Sequence, residues 1–282
     1  IAEEEAFSSV TLQYSLVFII AGLIFKFGAV PFHMWVPDVY QGSPLPVTLF
    51  ISTIPKIASL GMAYRLLVES FSSINTEIEF LFIVVAILSL FVGNIFAILQ
   101  ENLKRLIAYS AISHVGFILL GFLVPDFNDL SAVIFYVITY VLTTLGTFGI
   151  IIVLSSSFKE ADMLNDFKGL GFYKPLLALT MLLFLLSFAG VPPTVGFYAK
   201  FFILKNLVSY GYLDIAIFAV FMSLIAIFYY LKVIKVMFFE GVGSSFNLDG
   251  TSSFTLFILY LNGLSILVLG IFPDILFKYC LV

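Results

Sequence analysis

The clearest structural signal lies in residues 175–208, which read PLLALTMLLFLLSFAGVPPTVGFYAKFFILKNLV. As one helix this segment would be about 50 Å long, whereas the hydrocarbon core of a bilayer is about 30 Å thick. Pro192 and Pro193 remove two backbone donors and clash with the preceding helical turn. The sequence therefore predicts a helix that breaks between Gly190 and Gly196, with freed carbonyl groups lining a polar interior.

The first apolar segment ends in a similar way, at Gly28-Ala-Val-Pro31-Phe-His33. Each of the two interrupted segments carries a lysine, Lys26 in the first and Lys200 in the second. Two segments interrupted by Gly and Pro in one chain are typical of the broken helices that form transport sites in membrane transporters. An ordinary kink and an ordinary helix end are the alternative interpretation.

The composition excludes several classes of protein. Of 282 residues, 62% are hydrophobic and 11% charged, whereas soluble domains are roughly 45–50% apolar and about 25% charged. The 13 Lys and Arg against 17 Asp and Glu, with no basic run, argue against nucleic acid as a partner. With Cys280, His33 and His114 as the whole supply of Cys and His, we expect no disulfide, no zinc or iron–sulfur site and no cofactor.

The apolar segments predict an all-α membrane protein in which residues 1–282 form one transmembrane domain. A spanning helix needs about 20 mostly apolar residues, and a transmembrane barrel would instead show alternating segments of about 10 residues. Eight spans are predicted, the sixth broken at 190–196: 9–30, 46–68, 78–99, 106–124, 130–154, 175–208, 213–239 and 253–277.

Basic residues near the predicted helix ends indicate the orientation of the bundle, because cytoplasmic or matrix loops are enriched in Lys and Arg. One side collects Lys104, Arg105, Lys159, Lys168, Lys174, Lys232 and Lys235. The other side holds Arg65, Lys205 and Lys278. We expect the first group to face the matrix or the cytoplasm.

Three lysines of the predicted spans stand out by their depth, and a charge at the centre of a span costs about 3 kcal/mol or more. Lys56 lies near the middle of its span, about 15 Å from either end. Lys26 lies just before its break and Lys200 just after. Because burial disfavours the ammonium form, a lysine whose surroundings change is a proton site with switchable affinity. Snorkelling to the membrane surface is the alternative for each lysine.

His114 is the fourth candidate relay residue, because imidazole passes a proton between its two nitrogens. It is equally well explained as a packing residue. Several hydroxyl groups could order water between the lysines, although satisfying helix backbones is their more common role: Tyr109, Ser110, Ser113, Ser52, Thr53, Ser59 and Tyr198. Since no Asp or Glu falls in the middle of a span, the interior favours protons over sodium, which prefers oxygen ligands with a carboxylate.

Three motifs now become recognisable, at 26–44 with 46–48, at 103–116 and at 189–200. They resemble the family of NADH dehydrogenase subunit 2 of respiratory complex I, called subunit N in bacteria. The resemblance implies a proton-translocating subunit of an NADH:ubiquinone oxidoreductase that performs no redox chemistry itself, built from two inverted five-helix repeats.

The resemblance also assigns roles to the four candidates. Lys26 corresponds to the lysine of the first broken helix, which the family pairs with a glutamate, and Lys56 to the inner relay. Lys200 corresponds to the lysine of the second broken helix on the exit side, and His114 to the histidine of the connecting polar axis. A Mrp-type cation/proton antiporter subunit and a non-conducting scaffold are the alternatives.

Full-length members of the family have fourteen helices, and the eight predicted here correspond to the seventh to fourteenth. We therefore expect a separate chain to supply the missing N-terminal helices, or a truncated sequence. Other membrane subunits of complex I and phospholipids are the remaining expected partners. The expected location is the mitochondrial inner membrane, with the bacterial plasma membrane or the thylakoid as alternatives.

Overall fold

A computed structural model of the chain describes residues 2–66, 75–123, 130–155, 160–241 and 252–281, and these ranges are almost entirely helical. Twelve helices lie within them: α1 Ala2–Phe27, α2 Trp35–Gly42, α3 Leu45–Tyr64, α4 Asn75–Ile98, α5 Leu103–Gly121, α6 Leu130–Leu154, α7 Leu170–Tyr173, α8 Pro175–Ala189, α9 Val195–Ser209, α10 Leu213–Phe239, α11 Ser253–Ile271 and α12 Pro273–Cys280.

Six of the described helices are long and apolar enough to cross a membrane: α3, α4 from Glu79, α5, α6, α10 and α11. Of the two remaining predicted spans, 9–30 falls in α1 and the turn that follows it, and 175–208 is divided into α8 and α9. Neither Pro175–Ala189 nor Val195–Ser209 reaches the 20 residues that a bilayer requires. The expected all-α membrane bundle with discontinuous helices is therefore confirmed.

Helix α5 forms the centre of the bundle, and nearly all of its residues are buried. It packs along α4, where glycines allow close approach of the two backbones. A Cβ atom on Gly93 of α4 would lie 2.8 Å from the carbonyl oxygen of Tyr109, and one on Gly116 of α5 would lie 3.0 Å from that of Ala86. The remaining helices surround this pair, so that α5 offers polar side chains to several neighbours.

The two helix breaks have the same backbone design. Gly28 and Gly190 end α1 and α8 with φ angles of +74° and +79°, in the left-handed region that glycine adopts without steric cost. A cis peptide bond precedes the proline three residues later, Pro31 in the first break and Pro193 in the second. Each break thus turns the chain at a left-handed glycine directly after the end of a helix.

Glycines also allow the backbone of the second break to pack closely against its neighbours. A Cβ atom on Gly196 would lie 1.9 Å from the carbonyl oxygen of Ser187, so α9 starts directly against the last turn of α8. A Cβ atom on Gly270 of α11 would lie 2.0 Å from the carbonyl oxygen of Pro193. The position of the break is thus fixed by backbone contact from two sides.

The last predicted span, 253–277, is wrong in its C-terminal part, because α11 ends at Ile271 and α12 begins at Pro273. Proline has no N–H to continue the hydrogen-bond ladder, and it disfavours helical geometry in the preceding residue. Phe272 accordingly has φ −121° and ψ 68°.

The basic residues predicted to share one side of the membrane do lie together, at what we call the basic end. Here Lys104 pairs with Glu160 at 2.6 Å, and Lys168 and Lys235 lie 3.5 and 3.9 Å from Glu240. Helix α5 begins at this end and α10 finishes there. Lys159, which was predicted on the same side, lies outside the described residues.

Candidate functional site

Lys56 of α3 is buried in the bundle, with 5% of its surface exposed. Its ammonium group donates to the hydroxyl of Tyr140 on α6, with an Nζ–Oη distance of 3.0 Å. The same Nζ lies 4.5 Å from the centroid of the Tyr140 ring. One tyrosine thus provides both a hydrogen-bond acceptor and an aromatic face for the cation.

Lys200 of α9 is also buried, with 7% of its surface exposed, and its position depends on the helix break. Its Nζ donates to the carbonyl oxygen of Ala189, the last residue of α8, at 2.9 Å. In a continuous helix this carbonyl would accept from residue 193, but Pro193 has no N–H. The break therefore supplies the acceptor that holds the ammonium group in the interior, as expected of freed carbonyls.

His114 of α5 lies between the two lysines and is bonded on both of its ring nitrogens. Nδ1 lies 2.6 Å from the hydroxyl of Tyr136 on α6, and Nε2 lies 3.3 Å from the hydroxyl of Tyr230 on α10. In neutral imidazole one nitrogen donates and the other accepts, so both tautomers fit these partners. The ring is thus hydrogen-bonded in either tautomer.

A small cavity joins these groups and has about the space of one water molecule. Its polar lining includes Tyr140, His114 and Lys200, and also Thr143, which lies 3.1 Å from Ser187 between their hydroxyl oxygens. Lys56 reaches the cavity through its hydrogen bond to Tyr140. The structure therefore brings two lysines and the histidine to one polar interior between α3, α5, α6 and α9.

Lys56 and Lys200 are buried without an ion pair to any acid that the structure describes. Among the residues whose burial the structure describes, those buried and polar are Ser, Thr, Asn, Lys and His, and none is Asp or Glu. A lysine in a low-dielectric interior binds or releases a proton in response to changes in its surroundings. Lys56 and Lys200 are therefore suited to receive a proton and to pass it on.

Lys26 is not brought into this interior by the described part of the chain. Its side chain is exposed, whereas Ile20, Ile24 and Phe27 of the same helix are buried. The physical reason is that α1 packs mainly against α3 and lies at the edge of the described bundle. The first break is present, but its lysine faces outward.

Three of the seven hydroxyl groups predicted to order water instead bond to their own helix. Ser52 and Thr53 donate to the carbonyl of Leu49, at 2.9 and 2.8 Å, and Ser59 donates to that of Pro55 at 2.7 Å. These bonds satisfy the hydroxyl groups locally, as the alternative interpretation held. Tyr109 stacks on Phe96, and Tyr198 packs against phenylalanine rings. Ser110 is the exception, since it contacts Tyr230.

The polar face of α6 is the part of the site that sequence reasoning missed. This helix has no charged residue, but a stripe of hydroxyl-bearing residues follows helical spacing along it: Tyr136, Thr139, Tyr140, Thr143 and Thr147. Four of these residues line the cavity. The spacing i, i+3, i+4, i+7 on an otherwise apolar span is the signal that could have identified them.

The sequence profile of the NADH:quinone oxidoreductase/Mrp antiporter transmembrane family matches residues 2–226. Subunit N of the NADH-quinone oxidoreductase of Ruthia magnifica subsp. Calyptogena magnifica is 47% identical over 270 residues, which are 96% of this chain and 56% of that protein. Subunit N of Hydrogenovibrio crunogenus is 45% identical over 272 residues, covering 96% and 57%. The chain thus spans just over half the length of these curated relatives.

Solved structures of respiratory complexes share the fold. A chain of respiratory complex I from Thermus thermophilus is 31% identical with a TM-score of 0.81, over 93% of this chain and 58% of that chain. A chain of the archaeal membrane-bound sulfane sulfur reductase is 27% identical with a TM-score of 0.87, over 96% and 55%. A chain of the Mrp complex from Dietzia sp., at 19% identity and a TM-score of 0.83, covers 96% and 58% and shares the fold.

Proposed function

Because the chain belongs to the transmembrane family shared by NADH:quinone oxidoreductases and Mrp antiporters, we propose that it moves protons across a membrane as part of subunit N of a respiratory NADH:quinone oxidoreductase. In this proposal the chain performs no redox chemistry and couples quinone reduction elsewhere in the complex to proton pumping. Lys56, Lys200 and His114 are the relay residues.

The proton route follows the contacts of the site. A proton on Lys56 is passed through the Tyr140 hydroxyl, 3.0 Å away, into the cavity that both Tyr140 and Lys200 line. Lys200 accepts the proton at Nζ and is held in its charged form by the Ala189 carbonyl. A change in the surroundings of Lys200 then favours release of the proton.

The observation that carries the proposal is the burial of two lysines around one polar cavity, without a carboxylate among the described buried side chains. A sodium site needs several oxygen ligands and usually a carboxylate. A lysine site binds and releases protons without any such ligand. The interior therefore favours proton transfer over the cation exchange of a Mrp-type antiporter subunit.

The test compares Lys200→Met with Lys205→Met in the assembled complex, reconstituted into vesicles. Both lysines belong to α9, but Lys200 is buried and Lys205 is exposed. We expect Lys200→Met to lower the protons pumped per NADH oxidised, by roughly tenfold for the route through this chain. Lys205→Met should leave pumping unchanged, because its ammonium group lies outside the polar interior.

Lys56→Met should reproduce the loss, because it removes the proton site on the other side of Tyr140. Full pumping by assembled complexes that carry either buried substitution would contradict the relay and favour a scaffold role. Transport that depends on sodium concentration would favour the antiporter alternative instead. Native gel electrophoresis checks assembly, so that a complex that fails to assemble is not mistaken for an assembled complex that does not pump.

We further propose that Lys26 completes the pathway by contact with a membrane partner that carries a carboxylate. Its exposed position on α1 supports this proposal, because an unpaired charge at such a depth is costly unless protein covers it. A separate chain that supplies the N-terminal helices would fit this role, with other membrane subunits and phospholipids as further neighbours. Identification of the hydrophobic chains that co-purify with this one tests the proposal.

The location we propose is an energy-converting membrane. The similar curated proteins are bacterial, which favours the bacterial plasma membrane over the mitochondrial inner membrane and the thylakoid. Fractionation of the source cells, with quinone reductase activity as the marker, distinguishes these locations.

A further inference from the structure

His114 has a second hydrogen-bonded partner, which leads away from the lysine cavity. Its Nε2 lies 3.3 Å from Tyr230 Oη, and this hydroxyl lies 2.5 Å from Ser110 Oγ. Tyr230 and Ser110 are buried, with 1% of their surfaces exposed, and neither lines the cavity. The described contacts thus form a string from Tyr136 through His114 and Tyr230 to Ser110.

The string points towards the basic end of the bundle. Ser110 precedes His114 by four residues on α5, which places it about 6 Å nearer the start of that helix. Tyr230 lies in the second half of α10, whose final residues also belong to the basic end. The lysine cavity contacts the opposite ring nitrogen of His114 through Tyr136. The imidazole therefore separates two polar regions.

We propose that Tyr230 is a further relay residue, which connects His114 with Ser110 and so opens a branch of the pathway towards the basic end. This inference rests on the proposed proton-translocating function. It goes beyond that function because it assigns a direction and a residue on α10 that the lysine route does not use.

A proton that enters the string at Ser110 leads to the release of one proton at Tyr136. With one proton supplied to Ser110, the Ser110 hydroxyl donates to Tyr230, and the Tyr230 proton goes to His114 Nε2. The proton on His114 Nδ1 then leaves through the Tyr136 hydroxyl to the cavity. Each group gives up one proton as it receives one, so all remain neutral and the imidazole changes tautomer. A half-turn of the imidazole ring, with rotation of the hydroxyl groups, restores the first arrangement without carrying the proton back.

Tyr198 of α9 provides a control for the loss of a tyrosine hydroxyl, because its half-buried ring contacts Phe197 and Phe202 and lies neither in the string nor in the lining of the cavity. We expect Tyr230→Phe to slow NADH-driven proton pumping by the assembled complex roughly tenfold, while Tyr198→Phe stays within about twofold of the wild type. Ser110→Ala should cause a loss similar to that of Tyr230→Phe.

A double variant separates a relay role from a packing role. If both hydroxyls serve one string, Tyr230→Phe combined with Ser110→Ala pumps no more slowly than either single variant, because the string is already interrupted. Independent losses that multiply would overturn the proposal, as would a Tyr230→Phe variant that pumps like Tyr198→Phe.

Lys200→Met in the same assay distinguishes failure of the branch through Tyr230 from failure of the proposed function. A loss with Lys200→Met but not with Tyr230→Phe contradicts the branch and leaves the proposed function intact. Normal pumping with Lys200→Met contradicts the proposed function itself, and the branch with it.

Discussion

Tyr140 has the most direct position of any uncharged residue in the site, since it accepts the hydrogen bond of Lys56 and also lines the cavity towards Lys200. In Tyr140→Phe the ring stays beneath the ammonium group, but the hydroxyl that joins Lys56 to the cavity is lost. We expect proton pumping through this chain to fall roughly tenfold, with the complex still assembled. Vesicle acidification measured per NADH oxidised checks this prediction.

Tyr198→Phe is the control for the loss of a tyrosine hydroxyl. Tyr198 was also predicted to order water, but its half-buried ring contacts Phe197 and Phe202 and does not line the cavity. Pumping should be unchanged in this variant. Equal losses in the Tyr140 and Tyr198 variants would show that the phenotype does not depend on the contact with Lys56.

The sequence identified the charged residues of the site better than the uncharged ones. Lys56 and Lys200 could be predicted because a charge in the middle of an apolar span is costly and needs an explanation. Tyr136 and Tyr140 could not be ranked in this way, since tyrosine is common in apolar helices. The depth of Lys26 could be predicted because position along a helix can be counted from sequence, whereas the direction of its side chain depends on which helices pack against α1.

At the scale of helices, the break between α8 and α9 depends on glycines that let backbones touch. Gly196→Ala would place a Cβ atom 1.9 Å from the Ser187 carbonyl, and Gly270→Ala would place one 2.0 Å from that of Pro193. Backbone at these positions cannot move without shifting the break, so each change should destabilise the protein by about 3 kcal/mol. Thermal unfolding of the purified complex measures the loss.

Gly61→Ala is the matched control, because Gly61 lies inside α3 and a Cβ atom there would meet nothing within 4 Å. Replacement of an open helical glycine by alanine stabilises a helix by up to about 1 kcal/mol. We expect the Gly61 variant to be as stable as the wild type or slightly more so. A Gly196→Ala variant as stable as the wild type would contradict the close backbone packing at the break.

The elements themselves were largely predictable from apolar length and from Gly and Pro. The predicted range 213–239 is that of α10, and the break predicted between Gly190 and Gly196 separates α8 from α9. The sequence alone did not show that Pro273 divides the last span, since the apolar run continues through it. Nor does apolar length indicate which helix is central, because α5 is less hydrophobic than α6 and more deeply buried.

At the scale of the whole molecule, the start of α5 ties several elements together at the basic end. Lys104 donates to Glu160 at 2.6 Å and to the carbonyl of Ser43 at 3.0 Å. Glu160 also accepts from the backbone N–H of Leu45, the first residue of α3. We call these contacts of Lys104 and Glu160 the latch. The latch holds the start of α3, which carries Lys56, against α5, which carries His114. It therefore connects an ion pair near the surface with the geometry of the site.

Glu160→Gln should loosen the latch. The change leaves the buried Lys104 ammonium group with a weaker acceptor, and because Glu160 is partly exposed we expect a cost of about 1–2 kcal/mol rather than the roughly 3–5 kcal/mol of a fully buried pair. Glu240→Gln is the control, since Glu240 pairs with partly exposed lysines at 3.5 and 3.9 Å, and such pairs contribute about 0–1 kcal/mol. Thermal unfolding of the two variants at neutral pH gives the comparison.

The latch also predicts a pH dependence. Partial burial raises the pKa of Glu160, but hydrogen bonds from Lys104 and from the Leu45 N–H, together with the charge of Lys104, outweigh it and hold the pKa below its ordinary value of 4.5. A carboxyl group with a lowered pKa in the folded state stabilises the protein above its unfolded pKa, and this stability is lost as the pH falls through the folded value. The wild type should therefore lose its advantage over Glu160→Gln as the pH falls below about 4.5. The stability difference between the wild type and Glu160→Gln could instead stay constant from neutral pH through this range. That result would show that the carboxylate charge of Glu160 does not hold the latch.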